Sequence, residues 1–92
     1  MNRDAAERLA ADVLGWLARD DERLMAFLGM TGADVGDLRV RAADPDFLGF
    51  LVDYLLSDEA ALIAFCDDTS RPYDAPARAR LLLPGGEQPD WT

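Results

Sequence analysis

The chain predicts an all-α fold, a compact bundle of five to six short helices, on three observations. Apolar residues recur three and four apart through most of its 92 residues, the spacing that lines one face of a helix. Aspartates stand where that spacing restarts, at Asp20, Asp44, Asp58 and Asp74, and an aspartate there can accept from the free N–H groups of a helix start. Glycine or proline marks several places where the spacing stops, as at Gly29 and Pro84, because neither continues a helix readily.

From Asp4 to about Arg19 the face Ala6, Leu9, Ala10, Val13, Trp16 and Leu17 defines a first amphipathic helix. Asp20 then caps a second, with Asp21 and Glu22 at its positive end. That helix carries Leu24, Met25, Phe27 and Leu28 and is expected to stop at Gly29. Thr31 and Asp34 have capping-box spacing for a short third helix through Val35, Leu38, Val40 and Ala42, with Gly32 and Gly36 working against it.

Asp44-Pro45 starts the fourth helix, since proline at the first helical position gives up an N–H that had no partner. Its body, Asp46 to Ser57, confines Asp46, Gly49, Asp53 and Ser57 to one stripe and is apolar elsewhere, which marks a central helix covered on most sides. The stripe itself is expected to be solvated. Asp58 and Glu59 open a fifth helix through Leu62, Ile63, Phe65 and Cys66, with Asp67 to Pro72 as a polar loop. Asp74-Ala75-Pro76 opens a last helix, A-R-A-R-L-L-L, which Pro84-Gly85-Gly86 ends. One helical domain over residues 1–86 and a mobile tail over 87–92 follow.

Val13 to Leu28 matches Leu51 to Cys66 at a constant offset, the 38 residues that separate Trp16 from Tyr54. Leu17 then aligns with Leu55, Asp20 with Asp58, Leu24 with Leu62 and Phe27 with Phe65. Two such helix-cap-helix hairpins suggest approximate two-fold symmetry, where a solenoid would need three or more copies.

Charge and composition narrow the function. Eighteen acids against nine bases give a net charge of −9, which argues against direct binding to nucleic acid or an anionic membrane. All nine bases are arginine. The absence of histidine removes the commonest general base, the commonest zinc ligand and the usual activator of a serine or cysteine nucleophile. One cysteine, Cys66, makes no internal disulfide, no apolar run reaches about 18 residues, and M-N-R-D-A-A-E does not resemble a secretory leader. A cytoplasmic location is expected.

No cluster carries a chemical signature. Asp44, Asp46 and Gly49 have the first, third and sixth spacings of a calcium loop, but Leu48 and Leu55 stand where ligands are required. Asp20, Asp21 and Glu22, like Asp67 and Asp68, read as cap and loop acids. Cys66 reads as a buried thiol and Pro84-Gly85-Gly86 as a helix stop. Arg71, Arg78 and Arg80 cluster near Tyr73, so Arg71 and Arg78 are candidate anion contacts. No catalytic residue, metal or cofactor is expected.

The repeat, the D-P-D-F-L-x-F-L-x-D-Y-L-L start, the D-E-x-x-L-x-x-F-C segment and the closing L-L-L-P-G-G together resemble a small all-helical domain-of-unknown-function family of alphaproteobacterial proteins. The resemblance covers nearly the whole chain and implies a compact helical protein; it carries over no site residue. The residues themselves point to a non-enzymatic adaptor or regulator, monomeric or homodimeric. It would dock a protein partner beside the fourth helix at Leu48, Val52, Asp53 and Leu56. The alternative is an acidic nucleic-acid mimic that covers the basic face of a DNA- or RNA-binding protein. Replacing Phe65, the expected core phenylalanine of the second hairpin, by alanine is expected to lower unfolding free energy by roughly 3 to 5 kcal/mol. Thermal or denaturant unfolding checks this, and an unchanged melt contradicts the placement.

Overall fold

The computed structural model describes residues 1–32 and 34–84. The tail expected over 87–92, and Gly85-Gly86 of the expected helix stop, lie outside the described residues. Six helices and no strand occur among the described residues: α1 Arg3–Ala18, α2 Asp21–Thr31, α3 Val35–Arg41, α4 Pro45–Leu56, α5 Glu59–Thr69 and α6 Ala75–Arg80. Aspartates start four of them. Asp20, Asp34, Asp44 and Asp58 each accept from backbone N–H groups of the following turn, as a short acceptor side chain with extended backbone does. Asn2 does the same for α1.

Three boundaries differ from expectation. α2 runs through Gly29 to Thr31 and ends at Gly32, whose φ of 75° is the left-handed conformation that stops a helix. Gly29 meets nothing that would require a glycine. Thr31 therefore belongs to α2, and Asp34 alone caps α3 through Asp37 N. α5 absorbs Asp67, Asp68 and Thr69, and the Thr69 hydroxyl donates back to the Phe65 carbonyl. α6 stops at Arg80, so Leu81 to Pro84 form turns.

The repeat is legible in the backbone. α2 and α5 begin and end at matched positions, 21 with 59 and 31 with 69. Each hairpin turns through the same bonds: Asp20 N to Leu17 O at 3.1 Å and Asp58 N to Leu55 O at 3.2 Å, then Leu24 N to Asp20 O and Leu62 N to Asp58 O, both at 2.9 Å. The C-caps correspond as well, with Ser70, φ 57°, where the first copy has Gly32. Phe27 and Phe65 are both fully buried. Their ring contacts cross between hairpins. Trp16 meets Phe65 edge-on at 5.7 Å, and its counterpart Tyr54 meets Phe27 edge-on at 5.0 Å. Met25 and Ile63, which also correspond, both point outward.

α1 packs mainly on α4 and α6, and α4 on α6 and α5. Leu9, Val13 and Leu17 of α1 and Leu51, Val52 and Leu55 of α4 are sealed between them. Here the α4 stripe departs from expectation, because part of it is covered. Gly49 is buried beneath the turn after α6: an added Cβ would lie 2.7 Å from the Pro84 carbonyl oxygen and 2.9 Å from Arg80 Nη1. One turn on, Asp53 accepts from Arg80 Nε at 2.6 Å and Nη2 at 3.0 Å. Arg80 Nη1 donates to the carbonyls of Leu83 and Pro84 at 3.2 and 3.1 Å. The Arg80 side chain is only 11% exposed while that of Asp53 is 51% exposed, so this two-point pair is sheltered on the arginine side and open to solvent on the other.

Two substitutions test these placements. Gly49→Ala improves helix propensity yet forces the Pro84 turn away, so a net loss of roughly 1 to 3 kcal/mol is expected in denaturant unfolding; a gain would contradict the close approach. Ser70→Gly removes a left-handed conformation from a residue with a Cβ and is expected to gain about 1 kcal/mol. A loss there would contradict the matched C-caps.

Candidate interaction surface

The groove expected at Leu48, Val52, Asp53 and Leu56 is corrected by the packing. Leu48 and Val52 are buried in the core, because α1, α5 and α6 cover α4 on those sides. Asp53 is engaged by Arg80, and Leu56 alone of the apolar three is partly exposed. Arg71 and Arg78 are not brought together on a common partner. Arg71 Nη2 reaches Asp12 on α1 at 2.7 Å, while Arg78 lies 3.8 Å from Asp74 one turn earlier on its own helix.

The acids are largely accounted for by local roles. Beyond the four caps, Asp4, Asp21, Glu22, Asp37, Asp46 and Glu59 lie in first turns, where the helix dipole favours negative charge. Asp68 accepts from Trp16 Nε1 at 2.8 Å and Asp67 from the Tyr73 hydroxyl at 2.7 Å. Among the described residues no group of three or more His, Cys, Asp or Glu side chains could hold a metal ion. Cys66 is buried with its Sγ 3.4 Å from the Pro72 carbonyl oxygen. Burial pushes its thiol above the ordinary range, the nearby Arg71 guanidinium opposes that, and Asp67 and Asp74 add to it. A thiol held neutral in this way is a poor nucleophile.

Exposed apolar side chains lie elsewhere, on α2 and α3 and also on either side of α6 at Tyr73 and Leu81. Met25 is 64%, Met30 56%, Val35 62% and Val40 77% exposed. Of these, Val35 lines an apolar cleft of about 290 Å³, with Leu14 and Ala18 of α1, Leu24 of α2, Leu38 and Arg39 of α3, and Ala42 following. α3 itself buries only Leu38. The third helix is expected to run through the apolar residues Val35, Leu38, Val40 and Ala42. Val40, two residues and thus about 200° from Leu38 on a helix, could have been read as outward. The exposure of Val35 had no sequence signal, because its spacing of three from Leu38 is the spacing of a buried pair.

Among the described residues no helix is long and apolar enough to cross a membrane. No curated protein and no solved structure matches the chain. A family model does, over residues 3–86, a span that takes in all six helices and both copies of the repeat. The chain belongs to the family described as "Protein of unknown function (DUF3572)".

Proposed function

We propose that this protein is a non-enzymatic adaptor or regulator of the bacterial cytoplasm that docks a partner protein on its α2–α3 face. The observation that carries the reading is the apolar cleft lined by Leu14, Ala18, Leu24, Val35, Leu38 and Ala42, with Met25, Met30 and Val40 as further exposed apolar side chains on the two helices that border it. Large apolar side chains grouped on the surface of a small domain are a mark of contact sites. The two methionines suit such a role, because an unbranched thioether side chain adapts to different partner shapes. An amphipathic partner helix that places one apolar residue between Val35 and Leu24 fits this chemistry. The surface acids keep the free protein soluble around that face.

Affinity capture of the tagged chain from its native lysate tests the proposal. A stoichiometric partner is expected, retained from low to moderate salt and lost on Val35→Asp or Val40→Asp, with the variants' melting temperatures close to that of the parent. Surface substitutions of this kind leave stability within roughly 0.5 kcal/mol. Absence of a stoichiometric partner contradicts the proposal. So does a partner that both variants retain and that salt releases steeply, which would favour the acidic mimic instead.

A further inference from the structure

A second cleft, of about 550 Å³, has the opposite chemistry: it is lined by Asp12, Gly15, Trp16 and Arg19 around α1 and by Thr69 and Arg71 at the end of α5. In a chain of net charge −9 its lining carries two guanidinium groups and one carboxylate, with a second carboxylate, Asp68, held on the Trp16 indole N–H at 2.8 Å. Arg71 makes a single hydrogen bond from Nη2, to Asp12, which leaves most of its five-donor fork unused. Its side chain is 25% exposed and is steadied over the Phe65 ring at 5.4 Å. Arg19, at the C-cap of α1, has no side-chain partner among the described residues.

Gly15 is the second observation. It sits inside α1 with ordinary helical backbone, and an added Cβ would meet nothing within 4 Å. Glycine at such a position costs about 0.5 to 1 kcal/mol relative to alanine, and no packing neighbour explains it. The space over it is the cleft.

The repeat supplies the third. A cleft of about 510 Å³ in the other half is lined by Thr31 and Phe50, the residues that correspond to Thr69 and Asp12. There Phe50 lies against Phe27 at 6.0 Å and Arg41, Asp44 and Asp46 share the lining; Asp53, the counterpart of Gly15, stands outside it and is held by Arg80. One copy is thus furnished with an aromatic ring and a paired carboxylate. Its twin has Asp12, paired with Arg71, and Gly15 in the corresponding places, with Arg19 beside them.

We infer that the α1–α5 cleft binds a small molecule through a phosphate or carboxylate group that accepts from Arg19 and Arg71, with Gly15 leaving room for the body of the ligand. The volume suits such a molecule, and oxyanion acceptors match the guanidinium fork. Asp12 holds Arg71 extended toward the cleft when no ligand is present, and Thr69, whose hydroxyl hydrogen goes to Phe65 O, keeps its oxygen free to accept but adds no donor. The site is independent of the α2–α3 face.

Nuclear magnetic resonance of the full chain tests this by titration with inorganic phosphate, pyrophosphate and citrate at constant ionic strength. Saturable shifts of the Trp16 indole N–H, the Gly15 amide and the Arg71 Nε–H are expected with at least one probe. Arg19→Gln and Arg71→Gln should each weaken binding at least about tenfold, the loss of one charge-assisted hydrogen bond. Gly15→Leu should abolish binding while the melting temperature holds or rises, and Arg78→Gln should leave binding unchanged. The inference is overturned if no probe saturates, if shifts rise linearly across all arginines alike, if both Arg19→Gln and Arg71→Gln bind as the parent does, or if Gly15→Leu still binds.

Discussion

The rest of the molecule depends on a pair of aromatic contacts that cross between its two halves. Trp16 packs edge-on against Phe65 and Tyr54 edge-on against Phe27, so the ring on the first helix of each hairpin meets the phenylalanine on the second helix of the other. Such reciprocity, residue i on j and j on i, is how an isologous dimer interface is built. Here both copies are on one chain. Edge-to-face packing adds roughly 0.5 to 1.5 kcal/mol per pair beyond the area buried, but the geometric consequence matters more. Neither hairpin covers its own phenylalanine with its own aromatic ring, so the halves complete one core together.

Where the copies diverge, the surface opens. The third helix of each half shows this best. α6 buries Ala75, Pro76 and Ala79 and is tied to α4 through Arg80, Asp53 and the close approach at Gly49. α3, at the corresponding place in the first half, buries Leu38 alone and leaves an apolar cleft beneath its edge. The aromatic ends differ in the same spirit. Phe27 is wrapped by Phe47, Phe50 and Tyr54, whereas the Trp16–Phe65 end is flanked by the guanidinium groups of Arg23 and Arg71. A four-ring cluster with Arg41 over Phe47 in one copy therefore stands opposite a single ring pair flanked by two arginines in the other.

The helix starts were readable because capping is local: Asp20, Asp44 and Asp58 act within three residues of themselves, and no distant contact decides them. The helix ends were less so. Gly29 is a possible stop, but the next glycine, Gly32, takes the left-handed backbone, and nothing in the local sequence ranks one over the other. The covered part of the α4 stripe was not readable at all, since Arg80 reaches Asp53 from 27 residues away. The same distance effect moved the open surface. Leu48 and Val52 were apolar enough for a docking face, but α1 and α6 already occupy that space, and Val35 and Val40 of the short α3 are among the apolar residues left exposed.

The central claim, one core completed by reciprocal contacts between two copies, is tested most directly by double-mutant cycles on four aromatic residues, each replaced by leucine. Coupling of about 0.5 to 1.5 kcal/mol is expected for Trp16 with Phe65 and for Tyr54 with Phe27. The pairs within a hairpin, Trp16 with Phe27 and Tyr54 with Phe65, should couple by less than about 0.5 kcal/mol. Coupling confined to one crossed pair, or stronger within hairpins than between them, would contradict the account.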